Sequence, residues 1–341
     1  MQMRTKYAVS ALLLLTLCGC GADPAAQEAK SLDLFAMDTY MNLKAYGSHA
    51  DAALKASADR IAELEKLLSV TDAGSEIYAA NHADGAAVGI SPDTETVLDM
   101  AAKVYADSRG ALNIAMYPVL QAWGFTTGAY QVPDGEQIAA LLAKTDFLQV
   151  TVRDGELTVP AGMQIDLGAL AKGYAGECVM ECMRENGVDS AIISLGGNVQ
   201  ALGSKPDGSP WSVGITNPFA PDENLGILRV TDCAVITSGN YERYFEGDDG
   251  QRYWHILDPA DGFPADNGIV SATVIGANGL YCDALSTALF AEGTDRAAAH
   301  WRAAQDFQAV LVTADARILI TAGIQDRFEN LTGMPVEVIA N

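Results

Sequence analysis

Asp283 and Thr287 stand four residues apart in Asp283-Ala284-Leu285-Ser286-Thr287, a segment whose spacing reads as the start of a helix. That separation puts both side chains on one helical face. A carboxylate beside a hydroxyl is a pair of hard oxygen donors, the kind Mg²⁺ takes while waters and substrate phosphate oxygens fill its other positions. The plainer alternative is that Asp283 caps the helix and Thr287 bonds its own backbone. A second segment runs Gln164-Ile165-Asp166-Leu167-Gly168-Ala169-Leu170-Ala171-Lys172-Gly173-Tyr174. It reads as a strand ending in Asp166, a glycine, and a helix with Lys172 on its first turns. Helix-start amides and a cation would cradle a phosphate or a flavin ring system. The alternative is an ordinary strand-to-helix turn, capped by Asp166, with Lys172 solvated. In Ser194-Leu195-Gly196-Gly197-Asn198 two glycines follow a buried strand, which permits a tight bend or close backbone approach. The spacing of a full phosphate loop is missing there. The fourth segment is Thr237-Ser238-Gly239-Asn240-Tyr241-Glu242-Arg243-Tyr244, followed by Trp254-His255-Ile256-Leu257-Asp258-Pro259. Of His49, His82, His255 and His300, only His255 lies in a turn rich in Asp, Gly and Pro, where an imidazole can act as a general base near neutral pH. His300, beside Trp301, packs or faces solvent. No Gly-x-Ser-x-Gly motif supports a serine nucleophile.

These segments need elements to hold them. Residues 32–46 alternate and read as a strand pair carrying Met37-Asp38-Thr39, and residues 51–68 place Leu54, Ala58, Ile61, Leu64 and Leu68 at helical spacing. Ser91-Pro92 starts a helix running to about Ser108, with proline at its first position and Gly110 beyond its end. Shorter helices are expected over 118–123 and 135–144, and short strands over 148–152 and 156–159. A helix over 169–186, closed by Gly187, occupies the middle. Beyond it the pattern turns from helical to alternating. Residues 191–195, 200–202, 211–216, 226–230 and 234–237 read as strands between Gly, Pro and Asn turns. Residues 241–245 and 251–257 flank Glu246-Gly247-Asp248-Asp249-Gly250 as a hairpin. A strand over 270–275, a helix over 280–290, and a further helix with two strands over 295–320 follow. Strand runs interspersed with unequal helices predict an α+β fold of mixed, largely antiparallel sheets packed with helices.

The 341 residues are 49% hydrophobic, ample for a buried core, and no composition break divides residues 31–341, which read as one catalytic unit. Lys and Arg number 21 against 44 Asp and Glu, a formal net charge of −23. No basic stripe exists to neutralise nucleic-acid phosphates, so a nucleic-acid partner is excluded. An anionic substrate would need a metal ion or aimed backbone amides. At the N-terminus, Arg4 and Lys6 precede a short apolar run over 8–17, a secretory signal too short to span a membrane. The run ends Leu17-Cys18-Gly19-Cys20, which resembles a bacterial lipoprotein cleavage box. Residues 1–19 are then the signal peptide, Cys20 the lipidated first residue, and residues 20–30 an Ala-rich tether, so that acyl chains alone hold an exported protein to the membrane. Cys178, Cys182, Cys233 and Cys282 show no metal-ligand spacing and read as core thiols.

Taken together, the segments resemble the ApbE family of FAD:protein FMN transferases over nearly all of the mature chain. The matching elements, in order, are Met37-Asp38-Thr39, Gly110-Ala111-Leu112-Asn113, Asp166 through Lys172, Ser194 through Asn198, Thr237-Ser238-Gly239, His255 through Pro259, and Asp283 through Thr287. The resemblance implies an ApbE-like fold and Mg²⁺-dependent transfer of FMN from FAD to a Ser/Thr hydroxyl of an acceptor protein, with release of AMP. It implies metal donors in the Ala169 backbone carbonyl, Asp283 and Thr287. It places Met37, Ala111, Leu112, Asn113, Asp166, Lys172 and Leu257 where the family holds FAD. Acceptors in the family are flavinylated subunits of sodium-pumping NADH:quinone reductase and Rnf-type redox complexes, and other exported flavoproteins. His255 is the candidate base and Asp283 the runner-up. Three positions depart from the family pattern. Asn113 stands where many members have Asp, Asp38 where they have Gly, and Thr71 where many carry a Tyr against the flavin. The loss of that ring leaves a second reading open, an Mg²⁺-dependent FAD pyrophosphatase giving FMN and AMP. A non-catalytic, flavin-binding scaffold lipoprotein is the alternative from another class.

Overall fold

A computed structural model describes residues 28–340; the signal segment, Cys20 and most of the tether lie outside them. The tether ends sooner than expected, because Ala29 and Lys30 already pair with Tyr46 and Ala45. Strands β1 (Ala29–Ala36) and β2 (Thr39–Tyr46) form a hairpin closed by Met37 and Asp38, both at positive φ (49° and 58°). A two-residue turn of this hand needs both central residues there, and Asp tolerates that region better than most side chains. Asp38 thus serves where the family's glycine would.

Helices α1 (Ala50–Leu68) and α2 (Glu76–Asn81), strand β3 (Val88–Gly89) and helix α3 (Pro92–Asp107) follow. The Ser91 side chain caps α3, accepting from Thr94 N–H. Helices α4 (Tyr117–Trp123) and α5 (Gly135–Leu142) precede β4 (Thr151–Arg153) and β5 (Glu156–Thr158), and β5 pairs with both β3 and β4 in a small sheet. The strand expected over 148–152 begins late, because Asp146 caps a short 3₁₀ turn over Phe147–Gln149. Helix α6 (Ala171–Glu185) leads to β6 (Ala191–Leu195), β7 (Asn198–Leu202), β8 (Trp211–Asn217), β9 (Ala220–Val230) and β10 (Cys233–Gly239). A short hairpin, β11 (Tyr244–Glu246) and β12 (Arg252–Trp254), stands before β13 (Ile269–Gly276). Helix α7 (Gly279–Ala304) breaks at Gly293 (φ 75°), so the two helices expected there are two arms of one run. Strands β14 (Gln308–Thr313), β15 (Ile318–Thr321), β16 (Phe328–Asn330) and β17 (Val336–Ile339) complete the described chain.

Nine strands make the main sheet, in the order β1-β2-β6-β7-β10-β13-β14-β15-β17. Every neighbouring pair is antiparallel except β15 with β17. Helices α1, α6 and α7 bury their apolar stripes with this sheet, through residues such as Ile61, Leu64, Val179, Leu285 and Leu289. A second core joins Trp211, Val213 and Leu228 of β8 and β9 to Val235, Ile275 and Val310 of the main sheet. The expected α+β architecture is what the chain adopts. Cys178 and Cys282 are buried and Cys182 and Cys233 half-buried, all as free thiols.

Two helix N-termini cross-brace one another. Glu177 of α6 accepts from Gly279 N–H (2.8 Å) at the start of α7, and Asp283 of α7 accepts from Gly173 N–H (2.7 Å) at the start of α6. Each carboxylate accepts an N–H from the first turn of the partner helix. The approach is close enough that a Cβ on Gly173 would collide with the Gly279 carbonyl and Asp283 Cβ. The expected cost of Gly173→Ala is about 3 kcal/mol, at the upper end of ordinary overpacking. Urea denaturation measures it; an unchanged midpoint would mean that the two helices have room to spare.

Candidate functional site

The site forms where the β1–β2 turn, the β6–β7 turn, the C-terminal end of β10 and the start of α6 come together. In the β6–β7 turn, Gly196 and Gly197 both have positive φ (60° and 94°), and Leu195 pairs with Asn198. The pair of glycines is therefore a tight hairpin bend. A Cβ on Gly196 would strike Thr39, so this turn seats directly against the start of β2.

Asp283 is 4% exposed. It does not cap its own helix, since Asn278 does that by accepting from Tyr281 N–H (2.7 Å). Its Oδ2 instead takes the Gly173 N–H. In a regular helix that N–H would bond the carbonyl four residues back, Ala169. Ala169 therefore sits in the turn before α6, with its carbonyl released from the helix ladder. The helix begins at Ala171 rather than 169, and residues 164–166 are extended without forming a strand. Asp166 N–H bonds the Ile114 carbonyl (2.9 Å), and Ile165 N–H bonds Asn81 Oδ1 (2.8 Å). The expected amide cradle is also partly spent. Ala171 N–H goes to Leu167 O and Gly173 N–H to Asp283.

Thr287, one turn along from Asp283, lies 3.2 Å from Ser238 Oγ on β10. Ser286, not Thr287, bonds back to its own helix, at Asp283 O (2.8 Å). The carboxylate and the hydroxyl thus stand one turn apart on α7, and the freed carbonyl belongs to the turn before α6, the helix whose start Asp283 holds. Among the described residues no group of three or more His, Cys, Asp or Glu side chains is arranged to hold a metal. A donor set with a single formal charge and otherwise neutral oxygens suits an ion that brings phosphate oxygens as its remaining ligands.

The charges around this point couple strongly. Burial pushes the Asp283 carboxyl up, while Lys172, the Gly173 N–H and the Asn198 side chain favour its ionised form. Burial likewise raises Asp166, offset by its own bond from Gly168 N–H and by Lys172 and Arg243. Glu242 meets solvent across the cleft, yet the surrounding protein and Asp283 push it up to about 7 against the pull of Lys172 and Arg243. Neither Glu242 nor Arg243 was given a role from sequence, although both lie in the fourth segment. Arg243 pairs with Asp38 at 3.3 Å and so links the β10 end to the β1–β2 turn.

His255 is half-buried, and its Nδ1 lies 3.2 Å from the Arg243 carbonyl. A carbonyl only accepts, so Nδ1 carries the proton and Nε2 keeps its lone pair. Burial and the Arg243 charge push this imidazole down to about 4. Leu257, two residues on, is buried with Trp123. Asn113 turns its side chain inward, donating to Thr145 O (2.9 Å) and accepting from Ala115 N–H (2.9 Å). An aspartate could not make the first of these bonds. Ala111 and Leu112 are buried, and Leu112 N–H is taken by Ser108 Oγ (3.2 Å). Met37 N–H bonds Glu65 on the last turns of α1 (2.7 Å), which ties the β1–β2 turn to the region of Thr71. Thr71 itself is exposed, with its hydroxyl 3.3 Å from Ser69 Oγ. His300 packs against Glu292 (3.0 Å) on the second arm of α7.

The ApbE family model matches residues 37–311. An FAD:protein FMN transferase of Klebsiella pneumoniae is 36% identical over 294 residues, covering 85% of this chain and 90% of that protein. One from Treponema pallidum is 32% identical, covering 93% and 94%. The crystal structure of the ApbE protein from Thermotoga maritima superposes with a TM-score of 0.80 at 28% identity, covering 85% of this chain and 96% of that one. The flavin transferase ApbE from Vibrio cholerae gives a TM-score of 0.76 at 25% identity, covering 89% and 96%. The matched span runs from the β1–β2 turn to β14 and takes in every segment that builds this cleft, and on that ground the chain belongs to the ApbE family.

Proposed function

We propose that this protein transfers FMN from FAD to a Ser or Thr hydroxyl of an acceptor protein and releases AMP. The observation that carries this reading is the bond from Gly173 N–H to Asp283, which leaves the Ala169 carbonyl out of the helix ladder and holds the start of α6 against the helix that carries Asp283 and Thr287. Those three donors would hold Mg²⁺, which when bound neutralises the diphosphate of FAD and favours cleavage of its P–O–P link. Lys172 and Arg243 supply the only local positive charge that the pattern of carboxyl shifts reveals, and they draw the anionic link into an otherwise acidic cleft. Met37, Ala111, Leu112, Asn113, Asp166, Lys172 and Leu257 would line the bound dinucleotide.

In the transfer, the acceptor hydroxyl oxygen bonds to the phosphorus of the FMN moiety as the bond to the AMP oxygen breaks. The hydroxyl proton needs a base. His255 Nε2 is unprotonated through the physiological range and its ring is aimed by the Arg243 carbonyl. Asp283 is less suited, since one of its oxygens is committed to Gly173. The acceptor class is the flavinylated subunits of Nqr- and Rnf-type redox complexes and similar exported flavoproteins. Lipidation at Cys20 would fix the enzyme to the outer face of a bacterial membrane, facing such acceptors, with no nucleic-acid partner. Thr71 favours a secondary FAD hydrolysis to FMN and AMP, because no aromatic ring at that position holds the flavin and excludes water.

Incubation with FAD, Mg²⁺ and an acceptor peptide is expected to release AMP and add the mass of one FMN to the peptide. Asp283→Ala should lower both by at least about 100-fold; retention of both would refute the metal role. Without acceptor, slow AMP release should persist, and substitution of Thr71 by Tyr should reduce it. His255→Ala is expected to slow transfer by about 10²–10⁴-fold. The imidazole should titrate by NMR near 4, and a midpoint at 6 or above would contradict the buried, Arg243-facing placement. Between the ordinary value and about 4 the unfolded chain binds the proton and the folded one does not. Folding stability should therefore fall as pH drops through that window, and less steeply in His255→Gln.

A further inference from the structure

Asn198 is 3% exposed, and its amide Nδ2 has no hydrogen-bond partner. A buried N–H left unpaired costs about 1–3 kcal/mol, so such a group calls for an explanation. Its position is set tightly. The Gly196-Gly197 bend fixes Asn198 as the first residue of β7, opposite Leu195. Two residues along the same face of that strand, Gln200 donates to the Gly173 carbonyl (3.0 Å). Gly173 in turn donates to Asp283 Oδ2. The β7 face is thus pinned to the start of α6, with Asn198 near enough to the Asp283 carboxylate to favour its ionised form but short of a completed hydrogen bond. Oδ2 is already held, and no described residue completes a hydrogen bond to Oδ1.

We infer that Asn198 is a positioning residue, whose unpaired amide N–H is reserved to orient the Asp283 carboxylate once that carboxylate ligates a divalent ion. A ligating carboxylate is normally held by outer hydrogen-bond donors, and their loss costs about 10–100-fold in metal affinity. Gly173 N–H supplies one such donor and Asn198 Nδ2 the second. The inference rests on the metal site of the proposed function. It gives the Ser194–Asn198 segment a purpose that a tight bend alone does not require.

The test is Mn²⁺ binding to the protein, followed by electron paramagnetic resonance in the presence of FAD, with thermal melting of each metal-free variant. Asn198→Leu keeps roughly the shape but removes the donor. It should weaken Mn²⁺ binding at least about tenfold while leaving metal-free melting unchanged or higher, because a buried orphan donor has been removed. Asn198→Ser, which restores a shorter O–H donor, should recover part of the affinity. Unchanged affinity in Asn198→Leu would overturn the inference. So would lowered melting together with an affinity loss that Asn198→Ser does not relieve, since that is the mark of a packing defect. Wild type binding Mn²⁺ no more tightly than Asp283→Ala would overturn the metal site itself, and the inference with it.

Discussion

The structure around the cleft depends on one buried hydrogen bond, from Gly173 N–H to Asp283 Oδ2. It removes an amide from the ladder of α6 and so releases the Ala169 carbonyl. It also draws α7 against α6 at a distance only a glycine allows, and Glu177 returns the favour at the start of α7. A single contact thereby bears on two of the three oxygens proposed to hold the metal, the carboxylate by orienting it and the carbonyl by leaving it unbonded. Thr287 follows as the third because it lies one turn along the same helix face.

The electrostatic setting favours the metal proposed for this site. The chain carries −23 overall, and within the cleft burial raises Asp166, Glu242 and Asp283, with the Asp283 charge raising Glu242 further. Lys172 and Arg243 offset this only in part. A dinucleotide diphosphate would meet three strained carboxyls and two cations, a balance that disfavours its entry unless further positive charge arrives with it. The low affinity of His255 for protons belongs to the same setting, because burial chiefly, and then the two cations, disfavour a proton on the imidazole.

Much of this was legible in the sequence, and the reasons are local. The four-residue step from Asp283 to Thr287 needs only helix geometry, and the β1–β2 strand pair and α3 carry their own alternation and caps. The Gly196-Gly197 bend follows from backbone freedom alone. What sequence could not show depends on contacts distant in the chain. The Ala169 carbonyl is free because Gly173 bonds a residue 110 positions further on, so helical periodicity alone placed it inside α6. Asp166 reads as a strand end because its neighbours are apolar, but its backbone partner is Ile114 in a turn. Glu242 and Arg243 look like ordinary solvated charges until the fold brings Glu242 within the influence of Asp283 and pairs Arg243 with Asp38. Asn113 appeared as a change of charge, and the structure shows an amide doing what a carboxylate could not, donating to Thr145.

The most direct measurement is anomalous diffraction from crystals soaked with Mn²⁺ and FAD. The account expects one strong peak at about 2 Å from a carboxylate oxygen of Asp283, Thr287 Oγ1 and the Ala169 carbonyl, in contact with the diphosphate. A bound dinucleotide with no metal at those three oxygens, or with the metal elsewhere in the cleft, would contradict it.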